Sequence, residues 1–290
     1  MKQMMKKLSL LLAAGLLAVS CVLNFGGLSW VGQCTEEGID YVDVREVAAF
    51  NTISSSLPCN VYYSQAEKQE VRVESTEEFA GKVITEVENS TLKLKLEEGR
   101  YPKLVLRVVV SSPDIEGLTV RGSGNIIHEG ALHASKDLSL RVSGSGNIQA
   151  GDIDSQGFDA QVSGSGNLRI ASLACAGFAG HVGGSGSERI GNVTCKSIDV
   201  SVSGSGHITI DRAQVDGDVK ARISGSGRIR LEEVTVDGDM ELSSTGSGGI
   251  TVNGSCHEVD AVTSGAGSIS GNLTHTAIRT HSSGSGHVNL

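Results

Sequence analysis

Basic charge, aromatics and proline are all scarce in this sequence, and the first two shortages each remove a class of function. Asp and Glu outnumber Lys and Arg by 33 to 24, a formal net charge of −9. A nucleic-acid-binding protein needs the opposite balance to neutralise phosphates, so no nucleic-acid partner is expected. Aromatic residues make up only 3% of the chain. Beyond residue 118 the only ones are Phe158 and Phe178, too few to stack sugars in the manner of a carbohydrate-active enzyme, which stays the least favoured functional reading. The six cysteines, Cys21, Cys34, Cys59, Cys175, Cys195 and Cys256, include no Cys-x-x-Cys pair, which argues against a zinc ribbon. No Ser/His/Asp set can be assembled either, and neither catalytic residues nor a cofactor site is expected.

Glycine is what the chain has in excess, with 38 residues against only 3 prolines. There is no collagen triplet, and 39% of residues are hydrophobic, so the glycines point to regular turns between short strands rather than to disorder. A Gly-Ser-Gly turn recurs nine times, with its first glycine at positions 122, 144, 164, 184, 204, 225, 246, 265 and 284; one copy reads Gly265-Ala266-Gly267. Aligning the copies turns the sequence into columns. Six residues before the glycine stand Leu138, Phe158, Phe178 and Ile198; two before it stand Val120, Val142, Val162 and Val182. Between these apolar columns lie Ser139, Asp159, Arg141 and Gln161. Such alternation is a strand with one dry and one wet face.

Four residues after the glycine comes a second dry column, Ile126, Ile148, Leu168 and Ile208, and a third apolar position follows at Ile153, Leu173, Val193 and Val234. Each repeat therefore reads as strand, glycine corner, strand and looser return. About twenty residues suit one coil of a three-sided parallel β-helix, whose coils bury a core only by stacking. Nine coils at a strand spacing of about 4.8 Å would make a rod roughly 43 Å long. Glycine at the corner is expected to supply backbone angles with φ > 0, and its small serine to let corners stack.

Residues 41–118 lack the corner but stay rich in β patterns. Leu92–Leu96 alternates and pairs plausibly with Ile84–Val87 across Asn89-Ser90. Leu104–Val110 is a nearly continuous apolar strand, and a helical turn capped by Ser75 or Thr76 fits near Glu77–Lys82. This part is expected to cap the first coil and cover its unpaired edge.

The first residues read differently. Lys2, Lys6 and Lys7 precede an apolar run from Leu8 to Val19, the pattern of an export signal. The run ends in Leu17-Ala18-Val19-Ser20-Cys21, which resembles a lipoprotein signal with Cys21 as the lipidated residue. An ordinary cleavage site after Ala18-Val19-Ser20, and a retained membrane anchor from Leu8 to Val31, remain open alternatives. All three place the body of the protein outside the cytoplasm. The expected division is a signal at 1–21, a linker at 22–40, the β cap at 41–118 and the repeat solenoid at 119–290.

The recurring Gly-Ser-Gly-Asn-Ile of Gly122–Ile126 and Gly144–Ile148 resembles the head GIN domain family of autotransporter adhesins, common in Bacteroidetes. So do Phe50-Asn51-Thr52-Ile53, Val61-Tyr62-Tyr63-Ser64-Gln65 and Thr91-Leu92-Lys93-Leu94 upstream. The resemblance covers about residues 43–290. It implies a right-handed parallel β-helix, export to the outer membrane, cell surface or periplasm, often as a lipoprotein, and an adhesive role with no assigned catalytic residues. Later copies depart from the asparagine, with His207, Arg228, Gly249, Ser268 and His287 in its place.

Few positions qualify as sites. Asp216-Gly217-Asp218 and Asp237-Gly238-Asp239 recur one coil apart and stack carboxylates that could ligate calcium. Asp-Gly is also a common turn dipeptide, and that reading is preferred. His257, His275 and His281 lie near one another in sequence, but a solvated surface explains them more simply. Cys175 and Cys195 each stand nine residues before their glycine. They therefore stack in adjacent coils at a Cα spacing of about 4.8 Å, within disulfide range; two free thiols are the alternative. The ninth copy leaves an exposed strand edge, which suggests end-to-end pairing of two copies or docking by strand addition. The functional expectation is an envelope-anchored binding or adhesive module for a cell-surface, glycan or protein ligand. A structural spacer of the envelope is the alternative.

Overall fold

The structure, a computed structural model, describes residues 30–290; the export segment and Cys21 lie outside the described residues. The columns become two sheets wound into a β-solenoid of about nine coils. The nine strands that follow the corners, with five from the N-terminal part, form a fourteen-stranded trailing sheet; the nine that precede the corners, with three more, form a twelve-stranded leading sheet. Pairing within the coils is parallel and in register. In the trailing sheet Ile148 faces Leu168, and in the leading sheet Leu138 faces Phe158 and Val142 faces Val162. Since a slip of one residue would turn every apolar side chain outward, the core locks this register. Ile126, Ile148, Leu168, Ile229, Ile250 and Ile269 are all fully buried.

The expected looser return is instead part of the same strand. Ser187–Cys195 runs on without a break, and its dry positions step from Ile190 to Val193 rather than to residue 192. That one-residue skip bends the strand, so a third side appears without a third sheet.

The corner glycines also work differently from the expectation. Among the described glycines positive φ occurs at Gly38, Gly130, Gly254, Gly265, Gly271 and Gly284, so only the last two corners use it. What the others need is proximity. In the corners that begin at 144, 164, 184, 204, 225, 246 and 284, the N–H groups of the corner serine and second glycine both reach the first glycine's carbonyl in the coil before. Ser165 and Gly166 donate to Gly144 O at 3.2 Å each, and Ser226 and Gly227 to Gly204 O at 3.1 and 3.0 Å. A Cβ on Gly248 would lie 2.6 Å from Gly227 O, closer than any side chain tolerates.

At the N-terminal end the pairing turns antiparallel. Tyr41–Arg45 pairs with Glu70–Ser75, which pairs with Arg100–Ser112. Val83–Glu88 and Thr91–Leu96 form the expected hairpin; Asn89 and Ser90 take φ of 48° and 57°, as a tight two-residue turn requires. The helical turn is shorter than expected, Glu77–Ala80, and its N-cap Thr76 makes no side-chain cap bond. Within the stretch expected as a linker, Trp30–Thr35 is a strand paired with Arg100–Val105, and Cys34 is disulfide-bonded to Cys59.

Candidate functional site

The asparagine of the Gly-Ser-Gly-Asn signature builds a ladder along the solenoid. Asn125 Nδ2 donates to Asn60 Oδ1, Asn147 to Asn125 and Asn167 to Asn147, each at 2.8 Å, and Ser187 Oγ donates to Asn167 Oδ1 at 2.7 Å. Asn60 Nδ2 closes the other end on Glu36 Oε1 at 2.8 Å, which also accepts from Tyr62. Glu36 in turn meets Arg107 at 3.3 Å. The amides are therefore occupied with one another, which makes this column structural where it still reads asparagine.

The Asp-Gly-Asp edge does the work of a turn. Asp218 Oδ1 accepts from the Asp239 N–H at 3.0 Å, and Asp239 Oδ1 accepts from the Glu258 N–H at 3.1 Å. Asp216 and Asp237 sit in the same two turns, bonded through their own N–H groups to Cys195 O and Val215 O. His257 Nδ1 lies 3.0 Å from Asp239. Among the described residues no group of three or more His, Cys, Asp or Glu is placed to hold a metal ion. That holds for His257, His275 and His281 as well.

Cys175 and Cys195 do fall in adjacent coils, but as thiols. The disulfide is elsewhere, at Cys34–Cys59, because the strand carrying Cys34 is laid beside the first coil. The two thiols hydrogen-bond to each other, which pushes Cys175 up and Cys195 down from the ordinary thiol range. Burial, with a smaller push from the Asp239 charge, raises Cys256 to about 11.

One buried group breaks the dry columns. Glu188 occupies the position held by Leu168 and Ile208 in the neighbouring coils and is 1% exposed. Gly180 faces it in the leading sheet, and a Cβ there would sit 2.9 Å from Glu188 Oε2, so the absent side chain makes room for the carboxyl. Neither carboxyl oxygen has a hydrogen-bond partner. Burial, then the Asp159 charge, pushes its pKa up to about 8; the His181 N–H pulls weakly the other way without closing a hydrogen bond. The signal was present in the sequence as a paired gap, a missing hydrophobe at 188 and a missing side chain at 180.

The outer faces differ in charge. On the leading sheet opposite signs alternate and pair, as in Arg141–Asp159 at 2.7 Å, Arg222–Asp199 at 2.9 Å and Lys220–Glu241 at 3.5 Å. A shallow groove of about 250 Å³ runs there past Asp218, Asp239, Glu258 and Arg279. The trailing strands carry acids at and beyond the bend, at Asp152, Asp154, Asp211, Glu232 and Glu233; between the corner and the bend their outward residues are the third and fifth after each first glycine. These columns contain Arg169, Arg189, His207, Arg228, Arg230 and His287, and no carboxylate in any coil. The sequence points to one column of this face through the drift from Asn125 to His207 and Arg228, whereas the net charge averages over its arginines.

The family model described as "Putative auto-transporter adhesin, head GIN domain" matches residues 49–233. Three solved structures share the fold. A putative adhesin from Parabacteroides merdae aligns with a TM-score of 0.68 at 17% identity, over 90% of this chain and 98% of that one. A putative lipid binding protein from Parabacteroides distasonis aligns with a TM-score of 0.62 at 20% identity, over 90% and 99%. A putative adhesin from the same species gives 0.61 at 19%, again over 90% and 99%. No curated protein matches the chain.

Proposed function

Because the chain belongs to the head GIN domain family of auto-transporter adhesins, we propose that it is a non-catalytic binding module of the cell envelope. It offers the flat outer faces of the solenoid to a ligand on a cell surface. The observation that carries this reading is the evenness of the coils. Corners recur every 19 to 22 residues, so no inserted loop rises to form a deep cleft, and a ligand must be held by many small contacts along the stack.

Export belongs to the same reading. The Cys34–Cys59 bond suits an oxidising compartment, and the lysine-led apolar run ending at Cys21 suits a lipid-anchored N-terminus. An intact mass of the membrane-extracted protein carrying a diacylglyceryl and acyl group on Cys21 supports the anchor; an N-terminus cleaved beyond it excludes the anchor. A lipid ligand, as named for one Parabacteroides distasonis neighbour, would meet this chain on its outside, since the inward columns fill the interior. The regular rod also favours a second role as a spacer in the envelope.

The test is adherence. Beads coated with the mature chain are offered to host and bacterial cells and to a glycan array. Saturable capture supports the module. Absence of capture on every surface, together with envelope defects on deletion of the protein, favours the spacer. Release of reducing ends from an acidic polysaccharide contradicts both.

A further inference from the structure

We infer that the outer face of the trailing sheet, from Arg169 to Arg230, binds an acidic polysaccharide lying along the solenoid axis. This rests on the binding-module reading and names the ligand class for it. The whole chain carries a net charge of −9, yet this face has four arginines and no carboxylate between the serine corner and the bend. Arg169 and Arg189 face each other in register in adjacent coils, and Arg189 continues through Thr209 to Arg230. Ser187, His207 and Arg228 form the parallel column beside them. The cationic groups thus repeat along the axis at multiples of about 4.8 Å.

Two of the four arginines touch an acid, and those acids lie at the bend that borders the face. Arg189 meets Asp211 at 2.9 Å and Arg230 meets Glu232 at 3.5 Å. The guanidiniums of Arg169 and Arg228 have no ion-pair or hydrogen-bond partner among the described residues, and both residues are exposed. Each guanidinium offers a planar fork that fits a carboxylate in two places. The leading sheet, by contrast, cancels its own charges and leaves nothing for a polyanion to replace.

The shape and the absences select the class of polyanion. The face is flat and crosses several coils, which suits a linear chain with charges at intervals. It has no aromatic side chain on which bases could stack, as a single-stranded nucleic acid would want. It has no apolar anchor for a membrane either. The exposed large hydrophobics are Tyr41, Val42, Val44 and Ile278, and none lies on it. The small hydroxyls of the corner serines add neutral donors beside the arginines.

The experiment measures binding of the mature chain to polygalacturonate, to uncharged dextran and to phosphatidylglycerol vesicles, by calorimetry at low and high salt. We expect saturable binding to polygalacturonate alone, weakening as salt rises. The variant R169Q/R189Q/R228Q/R230Q should bind at least about tenfold more weakly with an unchanged circular-dichroism spectrum, the arginine-to-lysine quadruple should keep part of the affinity, and R141Q on the leading sheet should bind as wild type. Polygalacturonate binding that is missing, or that survives the glutamine quadruple, overturns the inference. So does binding to the vesicles without binding to polygalacturonate. If the glutamine quadruple adheres to cells as wild type does, this face is refuted while the binding module stands; if wild type itself fails to adhere, the module reading falls first.

Discussion

Glu188 should make the stability of this solenoid fall as the pH rises through neutrality. Its carboxyl is buried without a hydrogen bond and titrates near 8 in the fold, against an ordinary value of 4.5. The sign follows from which form the fold tolerates. The neutral acid is accepted and the carboxylate is not, so this group costs nothing below the unfolded value. The penalty grows between about pH 4.5 and pH 8 and is constant above. At 1.36 kcal/mol per unit it amounts to about 3 kcal/mol at pH 7 and about 5 kcal/mol above pH 8. Glu188→Leu repeats the Leu168 side chain of the coil before and should raise stability by roughly that amount at neutral pH. Glu188→Gln keeps the shape and removes only the charge, so it should flatten the pH profile with less gain. The assay is guanidinium unfolding across this pH range, with hydrogen exchange of Ser187–Cys195 to catch opening confined to one coil. A wild-type profile that stays parallel to both variants throughout would mean that the carboxylate is satisfied after all, and the reasoning fails.

Three further outcomes follow from the same geometry. Gly248→Ala places a methyl 2.6 Å from Gly227 O and should destabilise by more than about 2 kcal/mol in chemical unfolding; a loss below 0.5 kcal/mol would refute the steric account of the corner. Asn147→Ala removes the acceptor of both the Asn167 N–H and Asn167 Nδ2, while Asn125 Oδ1 keeps the residue 147 N–H; it should cost about 2 kcal/mol, read as a lower unfolding midpoint. Incubation with glutathione disulfide should join Cys175 to Cys195, the two thiols giving two electrons and two protons to yield two glutathiones. Non-reduced peptide maps in which both thiols are still alkylated would exclude it.

The columns were legible because a corner every twenty residues makes the apolar alternation visible without any alignment to other proteins. Asn89-Ser90 was legible too, since a polar dipeptide between alternating runs has few other uses. Other features were not legible, each for a definite reason. The corner glycines suggested unusual backbone angles, whereas crowding between stacked coils is a property of neighbours twenty residues away. The skip from Ile190 to Val193 looked like a loose return because one displaced hydrophobe breaks the pattern without breaking the strand. Cys34 and Cys59 stand outside the repeat, so no column could bring them together, while Cys175 and Cys195 share one and drew the attention. The drift of the asparagine column was legible, but that its amides hydrogen-bond to one another depends on coils twenty residues apart. Of the arginine face only the drift to His207 and Arg228 stands out in the sequence, because Arg169, Arg189 and Arg230 share their column with Ile127, Gln149 and Thr209.

The glycine corner carries a consequence for how such a chain can change in length. Most first glycines accept two hydrogen bonds from the coil that follows and sit under the serine and glycine that donate them, so most joints between coils are chemically the same joint. A duplicated or lost segment of one period would meet the same corner hydrogen bonds on both sides. Coil number is then a quantity that recombination can adjust in steps of about 4.8 Å. Reach from the envelope, and the number of charges facing outward, would scale with it while the architecture stays constant.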